Sequence, residues 1–158
     1  MQRIFYVLLS FNGRINRLTW LISFLAISAV EYCCDRFFRE VFHISGPIGS
    51  GLGLLSADYF GDRATLLAGL IFLWPSLAID VKRWHDMGRS GYYTLILNGP
   101  VLAIYAAGLT GAADVPEPQA SRLISVLALI ILVYFILLAA RKGAHGANRF
   151  GPAGPLPN

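Results

Sequence analysis

Seven side chains able to bind, protonate or pair lie between positions 80 and 90: Asp80, Lys82, Arg83, His85, Asp86, Arg89 and Ser90. They fall in and around the run Lys82-Arg83-Trp84-His85-Asp86-Met87-Gly88-Arg89-Ser90-Gly91, the densest polar cluster of a chain in which only 14% of residues are charged. By type His85 and Asp86 make an acid/base pair, but neighbours on a helix point apart and no third partner is fixed by spacing. Anion binding suits the pattern better. Lys82 and Arg83 belong at the C-terminal end of one helix, where the macrodipole favours cations. Ser90 is an N-cap candidate for the next helix, whose first amides would share the side of Arg89. The competing reading is a tight loop held by Asp86 paired with a nearby arginine, its bases touching lipid phosphates without specificity. A metal site would have to gather His85, His145 and Asp86 or Asp80, which have no ligand spacing. The chain contains no P-loop, no nucleotide glycine fingerprint after a strand, no His-Glu-x-x-His and no Gly-x-Ser-x-Gly. No cofactor, metal or catalytic residue is therefore assigned.

The elements that must position this cluster are apolar. Hydrophobic residues make up 56% of the 158, and the mean hydropathy is +0.58, more apolar surface than a small soluble globule can hide. The formal charge of +4 does not point to nucleic acid, because the basic residues sit in short clusters between apolar runs. Cys33 and Cys34 are adjacent, a spacing that suits neither a redox motif nor a disulfide framework, and read as small apolar residues late in the first span. Near the N-terminus Arg3 precedes a short apolar run, residues 4–11, which meets Asn12, Gly13 and Arg14 without a small-x-small cleavage site. The run is expected to stay in the mature chain as an interfacial helix.

Crossing the hydrocarbon takes about 20 apolar residues, fewer where the flanks snorkel, and four segments approach that length: 18–34, 64–81, 92–109 and 121–140. The last is the cleanest, with Ser125 and Tyr134 its polar interruptions beyond position 123. Orientation follows from the basic residues, which resist export. Nine of them, Arg3, Arg14, Arg17, Lys82, Arg83, Arg89, Arg141, Lys142 and Arg149, fall on one side; Arg36, Arg39, Arg63 and Arg122 fall on the other. The second side also holds most of the acids: Glu31, Asp35, Glu40, Asp58, Asp62, Asp114 and Glu117. The expected fold is an all-α membrane protein, one domain over 1–158, with about four transmembrane helices and both termini cytoplasmic. Trp20, Trp84, Tyr92 and Tyr93 fall near the inner boundary, where amphipathic rings prefer to lie. Glu31 is expected to face the bundle or the outer interface, since a carboxylate at mid-bilayer costs roughly 2.5 to 3.5 kcal/mol.

The outer loop 35–63 holds Gly46, Gly49, Gly51 and Gly53, and either dips into the bilayer under cover of the bundle or lies on it as a short helix. Residues 110–120, with Pro116 and Pro118, read as an ordinary connection. The Gly- and Pro-rich tail 143–158 should lack regular structure unless docked. Pro75 and Pro100 should bend their helices. Asn98 reads as a bundle-facing amide, with a substrate site as the alternative, and Gly99, Ala103 and Ala107 form a smooth strip for close packing.

Three motifs are distinctive together: Phe11-Asn12-Gly13-Arg14-Ile15-Asn16-Arg17 before the first span, the Arg-x-His-Asp-x-Gly-Arg-Ser-Gly pattern that begins at Arg83, and Gly146-Ala147-Asn148-Arg149-Phe150-Gly151-Pro152 in the tail. In this order they resemble the bacterial inner-membrane family catalogued as domain of unknown function 805, over nearly the whole chain. The resemblance implies a small multi-span protein of the cytoplasmic membrane and brings no established activity, substrate or cofactor. Residues 35–63 and 110–121 look longer or different here, so no role for them is inherited. The topology puts all three motifs on the inner face, so that Arg14, Arg17, Arg83, His85, Asp86, Arg89, Ser90, Asn148 and Arg149 are able to converge. They would do so either as a latch between helix ends or as a site for an anionic lipid headgroup or a membrane-protein partner.

The expected function is an accessory, scaffold or lipid-interacting protein of the inner membrane. A homo-oligomeric transporter or channel, which would need a polar lining through Asn98, and a membrane enzyme acting on a lipid or phosphate ester are the alternatives. Single cysteines at Ser90 and Gly146 should resist impermeant thiol reagents in intact cells, whereas those at Ser45 and Ala113 should react; labelling of the first pair would overturn the orientation.

Overall fold

The computed structural model describes residues 2–42, 63–110 and 117–152. Five α-helices account for most of them: α1 Gln2–Leu9, α2 Arg17–Phe42, α3 Arg63–Asp86, α4 Leu95–Thr110 and α5 Glu117–Ala140, with a 3-10 turn, Gly91–Thr94, leading into α4. Among the described residues no strand forms, and one isolated bridge pairs Asn148 with Gly151. The four expected spans all fall within helical segments. By length and composition, the segment Arg17–Cys34 is the one described helix apolar enough to cross a membrane, and α5 adds the shorter apolar run Ser125–Ala140. The glycines expected in an outer dip, the centre of the second outer connection and the end of the tail lie outside the described residues.

Local signals set the helix ends that matter. The Asn16 side chain accepts the Thr19 amide hydrogen at 2.8 Å, capping the start of α2. No glycine or proline interrupts the next 26 residues, and α2 runs to Phe42, past the expected end at Cys34. At the other boundary α3 continues through Asp86, past the expected span end at position 81, so that Lys82 and Arg83 lie at its C-terminal end as expected and His85 and Asp86 belong to the helix rather than to the connection. The helix ends at Gly88, whose φ of 73° is the left-handed conformation glycine adopts without a Cβ penalty. Its amide donates to the His85 carbonyl at 3.0 Å and that of Arg89 to the Trp84 carbonyl at 2.9 Å, the paired bonds of a Schellman ending. Ser90 then caps the 3-10 turn, its hydroxyl accepting from Tyr92 at 3.5 Å.

The core lies at one end of the bundle, where the start of α2 and the ends of α1, α3 and α5 meet: Val7, Ile15, Trp20, Ile79, Trp84, Tyr134 and Leu138 are buried together. Trp20 stacks on Phe24 at 5.7 Å, and Phe135 closes the cluster at 5.3 and 5.1 Å. Trp20 and Trp84 thus belong to the interior rather than to an interfacial belt, because their indole hydrogens have buried acceptors; of the four expected boundary rings Tyr92 and Tyr93 are exposed. Farther out the pattern inverts. Leu18, Ile22 and Leu25 on α2, and Leu129, Leu132, Val133 and Ile136 on α5, all stand exposed. Glu31 is half-buried. Pro75 and Pro100 sit inside α3 and α4, and the strip expected to pack at Gly99 meets nothing there among the described residues.

The N-terminal helix α1 is tied down by α3. Lys82 is fully buried, and its ammonium donates to the carbonyls of Tyr6, Val7 and Ser10 at 2.7, 2.5 and 2.5 Å. Trp74 adds an indole bond to the Leu9 carbonyl at 3.3 Å. These carbonyls lie at and just past the C-terminus of α1, where a helix leaves carbonyls without partners of its own. Burial pushes Lys82 down to about 8, still high enough for the three-donor form at neutral pH. Replacing Lys82 by Met keeps the stem and removes the donor shared by three carbonyls, so Lys82→Met should raise hydrogen exchange throughout α1 while the far-ultraviolet helix signal of the bundle is kept; unchanged protection of residues 4–10 would refute the anchor.

Candidate functional site

The polar groups at this end of the bundle are arranged in three tiers. Deepest is Asp80, on α3 one turn before the end cluster. Trp20 donates its indole hydrogen to Oδ1 at 2.8 Å and Tyr134 its hydroxyl to Oδ2 at 3.2 Å. Trp84 in turn donates to the Tyr134 oxygen at 3.0 Å. The carboxylate therefore joins α2, α3 and α5 through neutral donors. Asn98 on α4 donates to the Thr94 carbonyl at 3.0 Å; it is buried, as a bundle-fastening amide should be.

The middle tier is built on Asp86. Arg83 reaches Oδ2 at 2.5 Å and Arg14 reaches Oδ1 at 3.1 Å, with both guanidiniums buried. Each arginine then turns to backbone. Arg83 Nε donates to the Leu138 carbonyl at 2.9 Å, and its second amino group donates to the Arg141 carbonyl, closing the end of α5. Arg14 donates to the carbonyls of Gly146 and Ala144 at 2.8 and 2.9 Å, and more weakly to that of Gly151 at 3.3 Å. The Ala144 amide returns to the Asp86 carbonyl at 2.7 Å. Gly143 passes so close that a Cβ there would collide with the Asp86 carboxylate, which fixes why the tail begins with glycine. The tail is thus docked without being regular.

His85 and the tail motif form the outer tier. His85 Nδ1 lies 3.2 Å from the Gly13 carbonyl, which can only accept, so the hydrogen is on Nδ1. The ring stacks on Phe150 with centroids 3.8 Å apart and planes 7° from parallel, and Arg149 lies over Phe150 at 4.6 Å. Burial holds the His85 pKa below its ordinary value, and the charges of Arg149 and Lys82 push the same way against the Gly13 bond; the ring is neutral at pH 7. Asn148 donates to the His85 carbonyl at 2.9 Å and accepts the Phe150 amide hydrogen at 2.9 Å. Arg89 is exposed, 5.9 Å over the Tyr93 ring, and Arg17, at the head of α2, is exposed as well.

The structure therefore brings the three motifs together and divides their residues. Arg14, Arg83, Asp86 and Asn148 are committed to one another and to helix ends; Arg17, Arg89 and Arg149 remain at the surface; His85 and Ser90 line the rim. Asp86 pairs with Arg14 and Arg83 and not with Arg89 or Arg149, because its place one turn along α3 from Arg83 turns it under the tail. His85 and Asp86 serve different partners and make no acid/base dyad. Among the described residues no three potential metal ligands cluster. Sequence reasoning missed the joining role of Asp80 and the clamp made by Lys82. An ionisable residue at the end of an apolar span is itself the signal, since such a group needs a partner within the bundle.

A family model described as "Protein of unknown function (DUF805)" matches residues 8–152. The uncharacterized protein YiiR of Escherichia coli strain K12, and the protein of the same name in E. coli O157:H7, are 37% identical over 81 residues, 50% of this chain and 52% of theirs. The chain thus spans about half the length of the curated relatives it matches. No solved structure matches it.

Removing Arg14 takes one of two arginines from Asp86, which keeps Arg83, and releases three tail carbonyls. Arg14→Ala should cost about 3 kcal/mol of stability through its lost charged hydrogen bonds and make residues 144–151 sensitive to protease in mild detergent, while Arg149→Ala should melt like the unmodified chain; equal melting of both variants would contradict this division.

Proposed function

Because the chain belongs to the DUF805 family, whose function is unknown, we propose its role from the site: it is a multi-pass accessory protein of the bacterial cytoplasmic membrane whose inner face binds anionic lipid headgroups. Its four long helices cross the bilayer, and both termini lie in the cytoplasm. Several observations support this topology. The apolar side chains exposed along α2 and α5 are a surface water tolerates poorly, and the end carrying the polar tiers is also the end with nine of the thirteen basic residues. On α1, Ile4, Phe5 and Leu9 are exposed while Val7 is buried; a short helix of this kind, held by Lys82 at the same level, lies along an interface.

The division of the cations carries the reading. Arg14, Lys82 and Arg83 are buried and committed to protein acceptors. Arg17, Arg89, Arg141, Lys142 and Arg149 stand exposed at the same end. The stacking of Arg89 on Tyr93 and of Arg149 on Phe150 limits the freedom of both side chains and leaves their guanidinium edges for a phosphate. A basic residue beside an anionic leaflet contributes about 1 kcal/mol each.

The double variant Arg89→Ala with Arg149→Ala should stay folded and copurify with less phosphatidylglycerol and cardiolipin, and Arg89→Lys in the single background should recover only part of the binding because a point charge replaces a fork. Unchanged recovery of anionic lipid by a well-folded double variant would leave the exposed arginines without this role.

A further inference from the structure

Beside the outer tier runs a groove of about 410 Å³. Its floor is one face of α3, on which Leu77, Val81 and His85 follow one another at successive turns, and its walls include Phe11 from the segment after α1, Ser90 before the 3-10 turn and Leu95 at the start of α4. Leu77 to His85 spans about 12 Å along the helix, most of the roughly 15 Å of hydrocarbon in one leaflet. The chemistry changes along that length. At the His85 end the lining is polar, with Ser90 opposite, the charge of Arg149 acting on the imidazole and Arg89 next to Ser90 in the chain. Toward Leu77 the residues singled out above are aliphatic or aromatic. Gly91 lets the segment before α4 lie close against this face of α3, since a Cβ there would stand 2.7 Å from Val81 and 3.4 Å from His85 Nε2.

We infer that this groove seats one acyl chain of a diacyl phospholipid whose anionic headgroup rests at the His85 and Ser90 mouth between Arg89 and Arg149. The inference rests on the lipid-headgroup reading above and adds a place and a stoichiometry to it. A free phosphate would use the mouth and leave the apolar length empty; a small apolar solute would ignore the mouth's charge. An amphiphile with a negative head matches both ends, and a volume of this size lies in the usual range of about 300 to 1,000 Å³ for ligand sites. The aliphatic walls supply affinity by excluding water from methylenes, while the two arginines supply the preference for a negative head.

The test uses the full chain in mild detergent, stripped of lipid and supplied with dioleoyl phosphatidylglycerol or dioleoyl phosphatidylcholine, with retained lipid counted by native mass spectrometry. One phosphatidylglycerol per chain should be held, at least about tenfold more tightly than the choline lipid. Leu95→Trp and Leu77→Trp, which fill the groove, should each weaken that retention by about tenfold with melting unchanged. Both tryptophan variants retaining lipid like the unmodified chain would overturn the seat, and equal retention of the choline lipid would overturn the anionic occupant. The surface reading fails separately, through the double arginine variant. As a check independent of any substitution, phosphatidylglycerol carrying a photoactivatable group midway along an acyl chain should label peptides containing Leu77, Val81 or Leu95; labelling confined to α2 and α5 would also refute the seat.

Discussion

Helices end in carbonyls that nothing within the helix can satisfy, and at one end of this bundle three helices end together. The structure meets that demand with cations drawn largely from a single turn of α3. Lys82 covers the end of α1, and Arg83 covers the end of α5. The carbonyls at the end of α3 itself receive the Ile15 amide at Lys82, the Asn148 amide group at His85 and the Ala144 amide at Asp86. Two consecutive side chains on a helix point in different directions, which is why neighbouring residues serve helices on different sides of α3. The motif around position 83 is in this sense a joint, and its composition follows from what it joins.

Charge in this joint is balanced by more than carboxylates. Arg14 and Arg83 are buried against the Asp86 carboxylate, and Lys82 is buried against three carbonyls, an arrangement that would be costly if the cations faced apolar surroundings. They face instead the negative ends of three helices, each carrying roughly half an elementary charge of macrodipole. Asp80 lies one turn deeper and is held by neutral donors from Trp20 and Tyr134, so the two carboxylates of the site have separate work. Asp86 organises cations and the tail, while Asp80 ties together the aromatic side chains of the core.

Much of this was legible in the residues. Runs of apolar residues near the length of a leaflet pair gave the four long helices, Ser90 was read as a cap, and the three motifs were brought together by topology alone. What stayed hidden is what depends on contact. The C-terminal signal at Gly88 was available in the pattern of glycine just past a basic helix end, yet the polarity of His85 and Asp86 suggests a loop until one sees Asp86 buried against Arg14 and Arg83. Trp20 and Trp84 carry a composition typical of an interface, and only the positions of Asp80 and Tyr134 turn them inward. The partners of Asp86 could not be chosen from sequence, because several arginines on the same face are equivalent until the tail is placed. Arg14 wins through backbone carbonyls, which no sequence displays.

Arg14 bonds to a carbonyl 132 residues later in the chain, and this separation has a consequence for how the protein is made. A ribosome adding about 5 to 20 residues per second completes the tail on the order of ten seconds after Arg14 has been polymerised. During that interval the guanidinium has Asp86 at most, and the ends of α3 and α5 lack part of their cover. Closure at this end of the bundle is therefore late, and the helices are able to pack against one another before the joint that fastens them exists. A chain interrupted before Gly143 would keep its apolar helices and leave Arg14 without the carbonyls of Ala144, Gly146 and Gly151.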